Sequence, residues 1–280
     1  MLRFILICAI IYTLLHTKKA APRTVTYTSP VGKVYTLFEN ALEQPHLLIA
    51  GVTGSGKSVI INGLIDTLMH RLPFDQAGNA QMILIDPKRV ELAAYKNLPH
   101  TLAHAAGYDP SAWNTALQKA VSIMDARYQK MERAGQKMYN GSDLYVVIDE
   151  WANVYKSGGK AAYNAVLRLT SEGRAARVHV ILATQIPKAS IIPTEIRENF
   201  SARFALRTVT PQQSRVIMDC NGCEALPRYG QGYYITPEGT DLYNIPFVQE
   251  SEISSNLAWW ADQVRQNRKP QHKARRAAIA

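Results

Sequence analysis

Gly51-Val-Thr-Gly-Ser-Gly-Lys-Ser58 decides how this chain is read, because it satisfies G-x₄-G-K-[ST] at every fixed position. The apolar run His46-Leu-Leu-Ile-Ala50 leads straight into it, and an apolar helical stretch from Val59 to Met69 follows. Strand, glycine-rich loop and helix form the context the motif requires. Gly51, Gly54 and Gly56 let the backbone curl, so that N–H groups along Val52, Thr53 and Ser55 converge on phosphate oxygens. The helix opening near Lys57 adds the positive end of its dipole to that anion site. Lys57 is then expected to reach the β- and γ-phosphates of ATP, and the Ser58 hydroxyl to ligate Mg2+.

Working outward, Gln81–Asp86 (QMILID), Leu144–Asp149 (LYVVID), Val178–Thr184 (VHVILAT) and Ala202–Thr208 (ARFALRT) read as further buried strands. Short continuous apolar runs of this kind suit an α/β fold with a mostly parallel central sheet covered by helices on both faces. Val31–Phe38 reads as a strand or hairpin, and the polar, Pro-bearing Ala20–Ser29 as a linker. Between the second and third core strands, Trp113, Leu117, Val121, Met124, Tyr128 and Met131 recur at helical steps, with Ser111 as N-cap and Gly135 as terminator. Ligands of such sheets sit at the carboxyl ends of the strands. Asp149, at one of those ends, is placed to hold Mg2+ through its water shell. Glu150 beside it is expected to act as base or positioner for the attacking water. Gln185, at the next strand end, is read as a sensor of the γ-phosphate or the lytic water.

Composition sets the limits on everything else. The 280 residues are 47% hydrophobic, enough for a sizeable core, and carry a formal charge of +10. Six of the positive charges fall between Arg265 and Arg276 with no acid among them, a cluster that favours nucleic acid or anionic lipid. A solvated tail is the alternative. Three cysteines exclude a disulfide framework, and Cys220-x-x-Cys223 lacks the further ligands that zinc needs. Phe4–Leu15 is an uncharged apolar run between Arg3 and Lys18-Lys19. A full span takes about 17–25 residues, so residues 4–17 would cross a bilayer only with local thinning and snorkelling lysines. The run is read as a membrane anchor with the lysine side cytoplasmic, the alternative being a buried helix. The expected organisation is an anchor over 1–20, an ATPase unit over 21–250 and a basic tail over 251–280.

Several blocks beyond the glycine loop resemble the FtsK/SpoIIIE family. They are Pro45–Ser58, Ile85-Asp-Pro-Lys-Arg-Val-Glu-Leu92 with Leu98-Pro-His100, and Met124-Asp-Ala-Arg-Tyr-Gln-Lys-Met131. Gly173–His179 leading to Ala183-Thr-Gln-Ile-Pro187, and the late block Ser214-Arg215, Met218-Asp219 and Gly222-Cys-Glu-Ala-Leu226, add to the likeness. The similarity runs from about residue 31 to 247. It implies a RecA-like P-loop NTPase motor that forms a ring, a homo-hexamer, around double-stranded DNA and couples ATP hydrolysis to translocation. ATP would lie between neighbouring subunits, and an arginine supplied in trans would stabilise charge on the γ-phosphate. Arg174, Arg177 and Arg203 are the candidates. Asp86 and Lys88 would couple the nucleotide to the motor loops or form a structural salt bridge.

Departures from the family pattern are local. Ile186 stands where the family has an arginine, and Cys223 where it has a small residue. After about residue 250 too few residues follow to fold a winged-helix module. The alternative functions are a membrane-associated protein-export ATPase of FtsK-like type and a nucleotide-gated assembly factor.

Overall fold

Alternate residues of the strand before the glycine loop go to opposite cores: Leu47 and Ile49 join one cluster, Leu48 the other. The next strand repeats the division, with Met82 and Leu84 on one side and Ile83 and Ile85 on the other. Period-two alternation with both faces apolar makes these strands read as unbroken hydrophobic runs. The computed structural model describes residues 26–29, 32–71 and 81–245, together with Ile253, Ser255, Leu257 and Ala258. The apolar run at 4–17 and the basic cluster at 265–276 lie outside the described residues. No helix among the described residues is long and apolar enough to cross a membrane.

The elements run β1 (Thr26–Ser29), β2 (Gly32–Tyr35), α1 (Thr36–Leu42), β3 (His46–Ala50), α2 (Lys57–Arg71), β4 (Gln81–Asp86), β5 (Thr101–Ala106), α3 (Pro110–Ala134), β6 (Leu144–Ile148), α4 (Trp151–Glu172), β7 (Val178–Thr184), α5 (Thr194–Arg197), β8 (Ala202–Ala205), α6 (Pro211–Met218), β9 (Gln231–Thr236) and β10 (Gly239–Asn244). Eight strands form one sheet in the order β10-β9-β8-β3-β7-β6-β4-β5. From β8 to β5 all neighbours are parallel, and β9 and β10 close that end as an antiparallel hairpin. Helices α1 and α2 cover one face through Phe38, Ile60 and Leu64, all fully buried. Helices α3 and α4 cover the other through Trp113, Leu117, Met124, Trp151 and Val166. Each fully buried side chain of this size removes apolar area worth roughly 1.5–3 kcal/mol.

All five expected core strands are present, and the structure adds three at the margins. β5 is an edge strand, half-buried and alanine-rich, so it lacks the β-branched run that marks the others. β9 and β10 alternate polar and apolar residues and present only weak strand signals. Two expectations near the N-terminus are corrected. Part of the presumed linker, Thr26–Ser29, is a strand paired with Gly32–Tyr35. Strand character also stops at Tyr35, because Leu37, Phe38, Ala41 and Leu42 fall on one face of a helix and bury there. The N-cap of α3 is Asp109 rather than Ser111. Its side chain accepts from the N–H of Ser111 (3.1 Å) and Ala112 (3.0 Å), and Pro110 fills the first helical position, where no N–H is needed. Gly135 ends α3 in the left-handed conformation, φ 62°.

Candidate active site

β3, β4, β6 and β7 all end on the same edge of the sheet, and their last residues converge on residues 51–58. Gly51 follows β3 where its backbone passes close to β8's continuation: a Cβ there would stand 2.6 Å from the Leu206 Cβ and 2.6 Å from the Ser55 Oγ. Gly54 and Gly56 take φ of 76° and 106°, which side chains other than glycine rarely adopt. The loop hands over to α2 at Lys57, so the free N–H groups of the first helical turn open onto the same space.

Lys57 is buried and its Nζ donates to the carbonyls of Gly51 (2.8 Å) and Val52 (3.0 Å). Burial lowers its pKa to about 8; Glu150 opposes the shift and Lys88 adds to it. The lysine is therefore charged at neutral pH and seated against the loop it would leave to meet a phosphate.

Glu150, also buried, is held on both oxygens. One accepts from the Thr184 hydroxyl (3.2 Å) and the Gln185 N–H (3.0 Å), and the other pairs with the Lys88 ammonium at 3.0 Å. Although Glu150 stands at the N-cap of α4, its side chain makes no capping hydrogen bond. The carboxylate faces the strand ends instead. Asp86 accepts from the N–H of Lys88 (3.1 Å) and Leu92 (3.0 Å), which folds the segment after β4 over the site. Gln185 accepts from the Thr53 hydroxyl at 2.9 Å and thereby ties β7 to the glycine loop.

Asp149 is 5% exposed, and its pKa is pushed up to about 7, first by burial and then by the carboxylates of Asp86 and Glu91. Between about pH 4 and pH 7 the folded state thus binds more protons than the unfolded chain, so stability falls as pH rises through that window. Asp149→Asn is expected to raise the melting temperature of nucleotide-free protein at about pH 8 by a few degrees. The gain should shrink towards about pH 4, a trend that melting scans across the range would check. A divalent cation suits this donor set, since the hydroxyl at Ser58 and an acid reluctant to ionise alone both gain from one. Among the described residues no group of three or more His, Cys, Asp or Glu is arranged to hold a metal without help. Mg2+ keeps waters and phosphate oxygens beside one or two carboxylates.

The three candidate arginines lie away from this edge. Arg177, with φ 53°, makes a two-pronged pair with Asp143 at 2.7 Å on both arms. Arg203 is mostly buried and donates to the carbonyls of Phe200 (3.1 Å) and Ile217 (2.8 Å) and to Asp219 (3.1 Å). Arg174, in the turn between α4 and β7, is exposed. Sequence reading passed over Thr184, Glu91 and Tyr229. Thr184 hides as an ordinary strand end, Glu91 inside the segment after β4, and Tyr229 in a loop with no motif.

Residues 16–219 match the FtsK/SpoIIIE family, well over half of the chain. The chain belongs to the FtsK/SpoIIIE family. Within it, the chain is 35% identical over 241 residues to DNA translocase FtsK of Leptospira interrogans, covering 79% of this chain and 25% of that protein. It is 37% identical over 225 residues to DNA translocase FtsK of Helicobacter pylori strain J99, covering 75% and 26% respectively. The chain thus spans about a quarter of the length of these FtsK relatives. Among solved structures, the pCW3 conjugation coupling protein TcpA, in its monomer form with ATPγS, superposes with a TM-score of 0.67 at 20% identity. That match covers 86% of this chain and 71% of TcpA and confirms the RecA-like P-loop ATPase fold.

Proposed function

We propose that this FtsK/SpoIIIE-family chain is an ATP-hydrolysing motor that moves double-stranded DNA, working as a homo-hexameric ring. The observation that carries the reading is Glu150, a buried carboxylate set one residue beyond Asp149 and facing the residues that would cradle the γ-phosphate. A switch that only binds nucleotide has no use for a base there. The translocase names of the relatives support DNA as the cargo.

In this reading Gly51–Gly56 wrap the phosphates with backbone N–H groups, and Lys57 leaves the carbonyls of Gly51 and Val52 to neutralise the β- and γ-phosphates. Ser58 and Asp149 would hold Mg2+, which when bound offsets charge between the β- and γ-phosphates. Glu150 gives up its pairing with Lys88 and accepts a proton from the attacking water. Thr184 and the Gln185 N–H keep its other oxygen in place, so the freed oxygen alone turns toward the water. Gln185, linked to Thr53, carries the state of the γ-phosphate into β7. The trans role is assigned to Arg174; its exposure supports the choice, as do the partners that Arg177 and Arg203 already hold within their own subunit. The apolar run at 4–17 would tether the motor to the cytoplasmic side of a membrane.

A protein-export ATPase would share every one of these residues, so the cargo needs its own test. Duplex DNA of increasing length is expected to stimulate ATP hydrolysis, and rising salt to weaken the stimulation as phosphate contacts are lost. Turnover that ignores duplex at low salt would move the reading to protein export.

A further inference from the structure

The cavity over the glycine loop is lined by residues of two kinds. Its volume is about 530 Å³, within the roughly 300–1,000 Å³ usual for small-molecule sites. The loop and Lys57 supply the polar apparatus that phosphates need. Tyr229, Gly230 and Ile245 line the same cavity and bring it no charge.

Tyr229 is the unusual member of this wall. It is an aromatic side chain left 62% exposed in the loop between α6 and β9. Yet the loop is not free to carry it away. The Ile245 N–H donates to the Gly230 carbonyl (2.9 Å), and Arg207 donates to the Leu226 carbonyl (3.2 Å). Gly230, at φ 79°, turns the chain into β9 immediately after Tyr229. The ring edge lies close to the glycine loop, since a Cβ on Gly54 would sit 3.7 Å from the Tyr229 Cε1. The Arg228 guanidinium stands over one face of the ring, 5.1 Å from its centre. An aromatic ring is thus held beside the phosphate cradle, inside the cavity that the cradle opens onto.

We propose that Tyr229, with Gly230 and Ile245 lining the same cavity, is the seat of the nucleobase, stacking on the base of the nucleotide whose phosphates the glycine loop holds. The assignment rests on the nucleotide-binding reading above. Stacking uses the π-face that every base possesses, so the seat adds affinity for nucleotides over bare polyphosphate and discriminates little among bases.

Calorimetric titration of the full chain, its Tyr229→Ala variant and its Tyr229→Phe variant, each with ADP and with inorganic tripolyphosphate in Mg2+, tests this. Tyr229→Ala is expected to weaken ADP about 5- to 150-fold, the worth of one stacked base, while tripolyphosphate stays within about twofold. Tyr229→Phe should bind both ligands as the parent does. If Tyr229→Ala binds ADP as tightly as the parent, or loses ADP and tripolyphosphate in equal measure, the base seat is wrong. A parent protein that binds neither ligand would overturn the nucleotide reading itself and the seat with it. The two failures are distinct.

Discussion

Glu150→Gln is expected to lower ATP turnover about 10²- to 10⁴-fold while leaving ATP bound, the size of effect that follows loss of a positioned general base. The amide is nearly the same shape as the carboxylate. Its carbonyl oxygen can still accept from the Thr184 hydroxyl and the Gln185 N–H, so the strand ends keep their spacing. What disappears is the basic oxygen now paired with Lys88. Single-turnover hydrolysis beside a nucleotide-binding titration separates the two effects. Turnover within about threefold of the parent would move the base elsewhere, and Asp149 would then have to serve as both metal ligand and base.

Lys57→Ala acts one step earlier. Removing one partner of a buried charge pair typically costs about 2–5 kcal/mol, or roughly 30- to 4,000-fold in affinity. The loop itself should survive, because its shape rests on glycine conformations and on backbone hydrogen bonds such as Val52 N–H to the Arg207 carbonyl (2.9 Å). ATP affinity measured directly, rather than through turnover, is the proper readout. An unchanged affinity would mean that the lysine stays on the carbonyls of Gly51 and Val52 when nucleotide binds.

The core of this fold was legible because buried parallel strands leave no choice of residue. Leu47, Leu48 and Ile49 must all be apolar when the sheet is covered on both sides, and the same holds for Ile83–Ile85 and Val146–Ile148. The strand ends were legible for the same reason: Asp86, Asp149 and Gln185 each break an apolar run. Marginal elements were not. Thr101–Ala106 borrows its strand conformation from β4 and carries little propensity of its own, while Gln231–Thr236 needs β8 and β10 on either side before its tyrosines make sense. The ion pair of Lys88 with Glu150 spans 62 positions of sequence, and no local pattern announces it. The arginines teach the opposite lesson. Arg177 and Arg203 look alike in sequence, and only their distances to Asp143, Phe200, Ile217 and Asp219 show the different partners each holds within the subunit.

The decisive measurement is ATP turnover with and without linear duplex DNA, on the full chain and on Glu150→Gln side by side. Turnover that rises with duplex length, weakens with salt and vanishes in the variant is the expected result for a DNA motor. Turnover that is abolished in the variant yet indifferent to duplex at every length would leave an ATPase that is not a DNA translocase.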